Sequence, residues 1–86
     1  MPEISRFYGI VIGIYWREHG VAHFHAKYGE HRASFTIADL RLLEGELPPR
    51  VTALVLEWAF QHREELMADW TLASDHRPLI PIDPLS

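Results

Sequence analysis

Residues 22–37 read A-H-F-H-A-K-Y-G-E-H-R-A-S-F-T-I, and this stretch decides the fold. Apolar and polar side chains alternate on both sides of Gly29-Glu30, which is typical of two antiparallel strands joined by a tight turn. Glycine at the first central position of a two-residue hairpin favours a type II′ turn. The pattern therefore predicts strands over 22–28 and 31–37.

The register of this hairpin follows from keeping its apolar side chains on one face. If Tyr28 pairs with His31, every apolar side chain meets another apolar one, and a slip of one residue would break that match. The apolar pairs are then Ala22 with Ile37, Phe24 with Phe35, and Ala26 with Ala33. The pairs on the opposite face are His23 with Thr36, His25 with Ser34, and Lys27 with Arg32.

The flanking segments predict an α+β fold around this hairpin. Residues 7–16 are rich in aromatic and β-branched residues and predict one earlier strand, while 38–46 holds either a short fourth strand or an irregular connection. Apolar residues recur with a helical period after 49, which predicts one long helix over about 49–72. We expect a three- to four-stranded antiparallel β-meander packed by this single C-terminal helix.

The last segment, 78–86, contains three prolines, which exclude a helix and predict an extended tail. On the predicted helix, Leu56, Phe60 and Met67 lie on a side that one sheet face cannot bury. An apolar stripe of this kind often marks an interface. Either the tail packs back on the helix of its own chain and covers this stripe, or the stripe and the tail contact a partner chain, with a homo-oligomer as one form of that contact.

Length and composition limit the class of protein. Eighty-six residues with no cysteine predict one domain over 1–86 without disulfides or cysteine-based zinc sites. A net charge of −4 with neutral histidines weighs against broad nonspecific binding to nucleic acid. We find no apolar run of transmembrane length and no signal-peptide pattern, so we expect a cytoplasmic protein without membrane contact.

The triplet His23-Phe24-His25 locates the candidate site. Successive side chains of a strand point to opposite faces, so both imidazoles should project from the same face, together with Lys27. Imidazoles can give or take protons, and cationic side chains can hold a phosphate. We predict His25 as the general base or acid and His23 as its catalytic partner. The predicted binding residues are Lys27, Arg32, Tyr15 and Ser34.

Two other interpretations of this face stay open. One is an ordinary solvated sheet surface without a ligand. The other is a zinc site, because His-x-His on one strand can chelate zinc when a third ligand is close. His19, His31 and Glu18 are the candidates for that third ligand. Our first interpretation is a site without metal ligands and without a cofactor. Zinc binding is the alternative to be tested.

Four blocks of the chain, taken in order, are similar to a known family. They read M-P-E-I-S-R-F-Y-G-I-V-I, A-H-F-H-A-K-Y-G-E, L-E-G-E-L-P-P-R and L-V-L-E-W-A-F-Q-H-R-E-E-L. The family they resemble is the domain of unknown function 4160 family, which consists of small uncharacterised bacterial proteins. Its members commonly have proline before the His-Phe-His triplet, where this chain has Val21-Ala22.

Family members are often encoded beside another small protein, in a layout that resembles a toxin–antitoxin pair. The resemblance therefore implies a small component of such a pair, which binds RNA or the product of the neighbouring gene. Combined with the His23/His25 face, it leads us to expect that this face binds RNA or a partner protein and that, if the chain is an enzyme, its reaction is RNA cleavage by acid–base chemistry. The alternative is a non-enzymatic interaction module, either an antitoxin or an adaptor.

Overall fold

The computed structural model describes residues 2–16 and 18–86, and it has an α+β architecture. Five antiparallel strands lie side by side in chain order. They are β1 (Glu3–Phe7), β2 (Ile10–Gly13), β3 (His23–Tyr28), β4 (His31–Thr36) and β5 (Leu42–Glu46). Two helices follow, α1 (Pro49–Gln61) and α2 (Arg63–Ser74).

The central hairpin, β3 with β4, has the register expected from the apolar alternation. Phe24 pairs with Phe35 and their buried rings stack with centroids 5.6 Å apart. Gly29 opens the turn between the strands with a φ of 60°, a conformation that glycine adopts without steric cost. Local side-chain alternation was therefore sufficient to align these two strands.

The single strand predicted over 7–16 is wrong, because the chain reverses direction within it. Tyr8 and Gly9 have φ angles of 50° and 79°, and two consecutive positive φ values are typical of a type I′ hairpin turn. This turn separates β1 from β2. Tyrosine is common in strands and uncommon at this turn position, so the sequence pattern concealed the reversal. With β5 included, the sheet has five strands rather than three or four.

The single long helix predicted over 49–72 is also wrong, because it is interrupted at His62. This residue has φ −124° and ψ 24°, which ends α1 and lets α2 begin at Arg63. Apolar residues keep their helical spacing across the interruption, so the periodicity gave no sign of it. Among residues 2–16 and 18–86, neither helix combines the length and the apolar character needed to cross a bilayer.

The hydrophobic core lies between one sheet face and the helices. Its fully buried side chains include Ile10, Ile12 and Ile14 from the sheet side and Val55, Trp58 and Leu66 from the helices.

The C-terminal tail is extended and completes this core. Ile82 and Leu85 are buried, and the Ile82 N–H donates a hydrogen bond of 2.7 Å to the carbonyl oxygen of Ile4. The Trp58 Nε1–H donates a hydrogen bond of 2.8 Å to the carbonyl oxygen of Asp83. Tail residues thus pack against the sheet and the helix of their own chain.

Candidate functional site

A groove of about 720 Å³ opens on the sheet face that carries His25. We call it the imidazole groove, and residues from β3, β4, β5 and the connection between β2 and β3 line it. All the catalytic and binding residues predicted from the sequence lie along it, namely His23, His25, Lys27, Arg32, Tyr15 and Ser34. The groove has the size of a small-molecule or single-nucleotide site.

Strand alternation places the two imidazoles together at one end of the groove. His23 and His25 project from the same face of β3, with ring centroids 5.1 Å apart. Gly13 pairs with His25 from β2 and has no side chain to fill the space beside the ring. The Tyr15 ring meets the His25 ring edge-on, with centroids 4.7 Å apart. These neighbours hold His25 half-exposed at the edge of the groove.

Glu18 joins the two imidazoles, a position that sequence reasoning considered only as one option for a zinc ligand. Its Oε2 lies 3.1 Å from Nε2 of His23, and its Oε1 makes a short hydrogen bond to Nε2 of His25. Glu18 belongs to the connection between β2 and β3, where no periodic pattern relates a residue to the strand faces. Of the three candidate third ligands, it is the one that approaches both imidazoles among the described residues.

His23 is more enclosed than an open sheet face implies. Its side chain is only 10% exposed, and the ring of Trp70 from α2 lies 5.0 Å from its ring. Nδ1 of His23 lies 2.8 Å from the carbonyl oxygen of Val21. A carbonyl oxygen only accepts, so Nδ1 carries a proton and donates it. Nε2 therefore faces Glu18 and the groove.

The carboxyl group of Glu18 is held in its charged form. Burial raises the pKa of this carboxyl, but hydrogen bonds and charges from His25 and His23 lower it more, so that the pKa lies below its ordinary value. The carboxylate is therefore ionised at neutral pH. One carboxylate oxygen and two imidazole nitrogens converge here, with all three atoms within 4.8 Å of one another.

A second row of charged residues crosses the groove next to this cluster. Lys27 pairs with Arg32 across β3 and β4, which is an unfavourable pair of like charges unless an acid or an anion lies nearby. On the other side, β5 places Glu46 opposite Arg32 and Glu44 opposite Ser34. The sequence did not place these acids because the strand that holds them was left open as an irregular connection.

Of the remaining predicted contacts, His31 is exposed at the hairpin end and lies outside the groove lining. His19 lines the groove but does not belong to the converging cluster.

Phe60 and Met67 are 65% and 38% exposed on the helices, whereas Leu56 is half-buried against the core. Phe60 and Met67 are thus the exposed members of the apolar stripe that was predicted as an interface.

Comparison with known proteins gives one match. The family model described as Domain of unknown function (DUF4160) matches residues 9–71 of the 86-residue chain, a range that contains Glu18, His23 and His25. A search of curated proteins and a search of solved structures each found no similar protein.

Proposed function

This chain belongs to the DUF4160 family, and on that premise we propose that it is the RNA-binding component of a toxin–antitoxin-like pair. We propose further that it cleaves the RNA that it binds in the imidazole groove. The proposed catalytic residues are His25 and His23, with Glu18 added from the structure. Lys27, Arg32, Tyr15 and Ser34 are the proposed RNA contacts.

One observation carries this proposal: cationic side chains and reactive imidazoles stand in adjacent rows of a single groove. Residues two apart on a strand lie about 7 Å from each other, so a phosphate held by Lys27 is one row away from His25. Arg32 lies beside Lys27 and supports a bidentate contact with the phosphate oxygens. The scissile bond of a bound strand would thus lie close to the imidazoles.

The groove favours a single strand over a duplex. Tyr15 is 37% exposed beside His25, and an exposed aromatic ring can stack on an unpaired base. The net charge of −4 opposes broad contact with a phosphate backbone, so we expect the contact to be confined to the groove. A few nucleotides of an unpaired segment satisfy both conditions.

The proposal is tested by the affinity of a short fluorescent single-stranded RNA, measured by fluorescence anisotropy. The double variant Lys27→Ala/Arg32→Ala should weaken binding at least about tenfold. It should also lower the slope of log affinity against log salt concentration by the contribution of roughly two phosphate contacts. Arg50→Ala removes an exposed cation from α1, outside the groove lining, and serves as the matched control. Equal affinity of the double variant and the control would refute RNA binding in the groove.

Cleavage is tested separately from binding. His25→Ala should still bind the RNA through Lys27 and Arg32 and should abolish cleavage of the same strand, followed on a denaturing gel. Expression of the wild-type chain without its gene neighbour should arrest growth, and the His25→Ala chain should not. Cleavage by the purified His25→Ala variant at the wild-type rate would eliminate the catalytic part of the proposal.

A second candidate function is a non-enzymatic interaction module, and the exposure of Phe60 and Met67 favours it. The partner would be the product of the neighbouring gene or a second copy of this chain. Residues 78–86 are unsuitable for a truncation test because Ile82 and Leu85 belong to the core. Substitution of the exposed helix residues is the sharper experiment.

A further inference from the structure

We propose that Glu18, His23 and His25 form a binding site for one divalent transition-metal ion of the zinc type. The cluster presents a carboxylate oxygen and two imidazole nitrogens, all within 4.8 Å of one another. The inference concerns the ion alone and does not require that the protein bind RNA.

One pair of donor atoms, from Glu18 and His23, has nearly the spacing of neighbouring ligands in tetrahedral coordination. Zinc bonds to nitrogen and carboxylate oxygen of 2.0–2.2 Å place neighbouring ligand atoms about 3.3–3.6 Å apart in a tetrahedron. Oε2 of Glu18 and Nε2 of His23 are separated by 3.1 Å. Little rearrangement of this part of the site is therefore needed to accept an ion.

His23 makes a hydrogen bond to the backbone that is common among metal-binding histidines. Metal-binding histidines almost always donate their second ring N–H to a carbonyl or a carboxylate, which fixes the tautomer. Here Nδ1 donates to the carbonyl oxygen of Val21 at 2.8 Å. That leaves Nε2, which lies 3.1 Å from Oε2 of Glu18, as the ring nitrogen that would bind the ion.

The donor set selects the class of ion. Imidazole suits zinc and its neighbours in the first transition series, whereas magnesium and calcium prefer sites made of oxygen alone. Three protein ligands leave a coordination position open, which is typical of catalytic rather than structural zinc sites. Because the cluster lines the imidazole groove, that position is accessible to a ligand in the groove.

An ion also changes the charge of the groove. The carboxylates of Glu18 and Glu44 cancel the cations of Lys27 and Arg32 among the lining residues, if the imidazoles are neutral. A divalent ion brings the sum to +2, which favours a phosphate. This consequence rests on the proposed function. With an ion bound at Nε2 of both rings, His23 and His25 would act in RNA cleavage as metal ligands rather than as general base and acid, and the ion would supply Lewis-acid catalysis.

The experiment uses the full chain without a histidine tag, stripped with a chelator and dialysed. Zinc is titrated by calorimetry, and cobalt(II) is added as a visible-light probe of coordination geometry. We expect one ion per chain and a cobalt spectrum typical of a nitrogen- and oxygen-ligated site. Glu18→Gln and His25→Ala should each weaken zinc binding at least about 100-fold, since the loss of mere supporting contacts already costs 10–100-fold.

His31→Ala removes an exposed histidine outside the cluster and is the matched control. Circular dichroism verifies the fold of each variant. Absence of saturable binding to the wild-type chain would overturn the inference, as would Glu18→Gln and His25→Ala proteins that bind zinc within twofold of the wild type. Zinc binding with the expected losses, but no RNA binding in the groove, would uphold the metal site and reject the proposed function.

Discussion

The carbonyl oxygen of Val21 accepts a 2.8 Å hydrogen bond from Nδ1 of His23. Through this bond, the backbone of the connection between β2 and β3 determines the tautomer of a nearly buried imidazole. Glu18 belongs to the same connection and contacts the opposite nitrogen of the ring. One loop therefore supplies both the acceptor that orients His23 and the carboxylate that its Nε2 faces.

The two histidines should differ in their contribution to stability. His23→Ala removes a buried ring, its hydrogen bond to Val21 and its packing against Trp70, and should lower the free energy of unfolding by about 2 kcal/mol or more. His25→Ala affects a half-exposed ring and should cost about 1 kcal/mol or less. Urea unfolding of the metal-free proteins, followed by circular dichroism, measures both. Equal losses would contradict the enclosed position of His23.

Asp69 should make stability depend on pH. It is buried in α2, and its Oδ1 accepts the Ile80 N–H at 2.8 Å, whereas Oδ2 has no partner among the described residues. Burial raises the pKa of this carboxyl, the Ile80 N–H lowers it, and the charge of Glu65 raises it, with a net increase. A raised pKa in the folded state contributes stability below the unfolded pKa of about 3.9, and this contribution is lost as pH rises through the folded value.

Asp69→Asn keeps an acceptor for the Ile80 N–H and carries no charge at any pH. We therefore expect the variant to gain in free energy of unfolding relative to the wild type as the pH is raised from 4 to 7. Urea unfolding across this range measures the difference. Asp75→Asn, on an exposed residue after α2, is the control and should show no such trend. A constant difference between the Asp69 variant and the wild type would contradict the prediction.

Gly45 should be the least replaceable of the described glycines with positive φ. It has a φ of 77°, and a Cβ atom there would lie 2.0 Å from the carbonyl oxygen of Arg32. Gly45→Ala should therefore cost at least about 2 kcal/mol and loosen the pairing of β5 with β4. Gly29→Ala shares the positive φ but meets no atom within 4 Å, so it isolates the backbone cost. Thermal unfolding should rank Gly45→Ala clearly below Gly29→Ala.

Phe60 should mediate any contact with the product of the neighbouring gene. Its ring is 65% exposed and lies 5.1 Å from the guanidinium carbon of Arg63, a cation–π contact of about 0.5–1 kcal/mol. Phe60→Ser should leave the fold intact and weaken capture of the neighbouring protein at least tenfold. Leu42→Ser changes a similarly exposed side chain on β5, away from the helices and the tail, and is the control. Unchanged capture by Phe60→Ser would remove this residue from the interface.

Local patterns in the sequence determined the centre of the fold. Alternation over 22–37 aligned Phe24 with Phe35 and directed His23 and His25 to one face, because a strand repeats every two residues whatever lies around it. The same reasoning failed at Tyr8-Gly9 and at His62. Both are places where the chain changes direction without interrupting its apolar pattern.

Tertiary structure alone decided which groups meet around the imidazoles. Glu18 comes from an irregular connection and Trp70 from the second helix. Neither of these contacts follows from the periodicity of a strand or a helix, because each depends on how distant segments of the chain pack around the core. The sequence therefore determined the direction in which two histidines point, and the packing of the folded chain determined what they face.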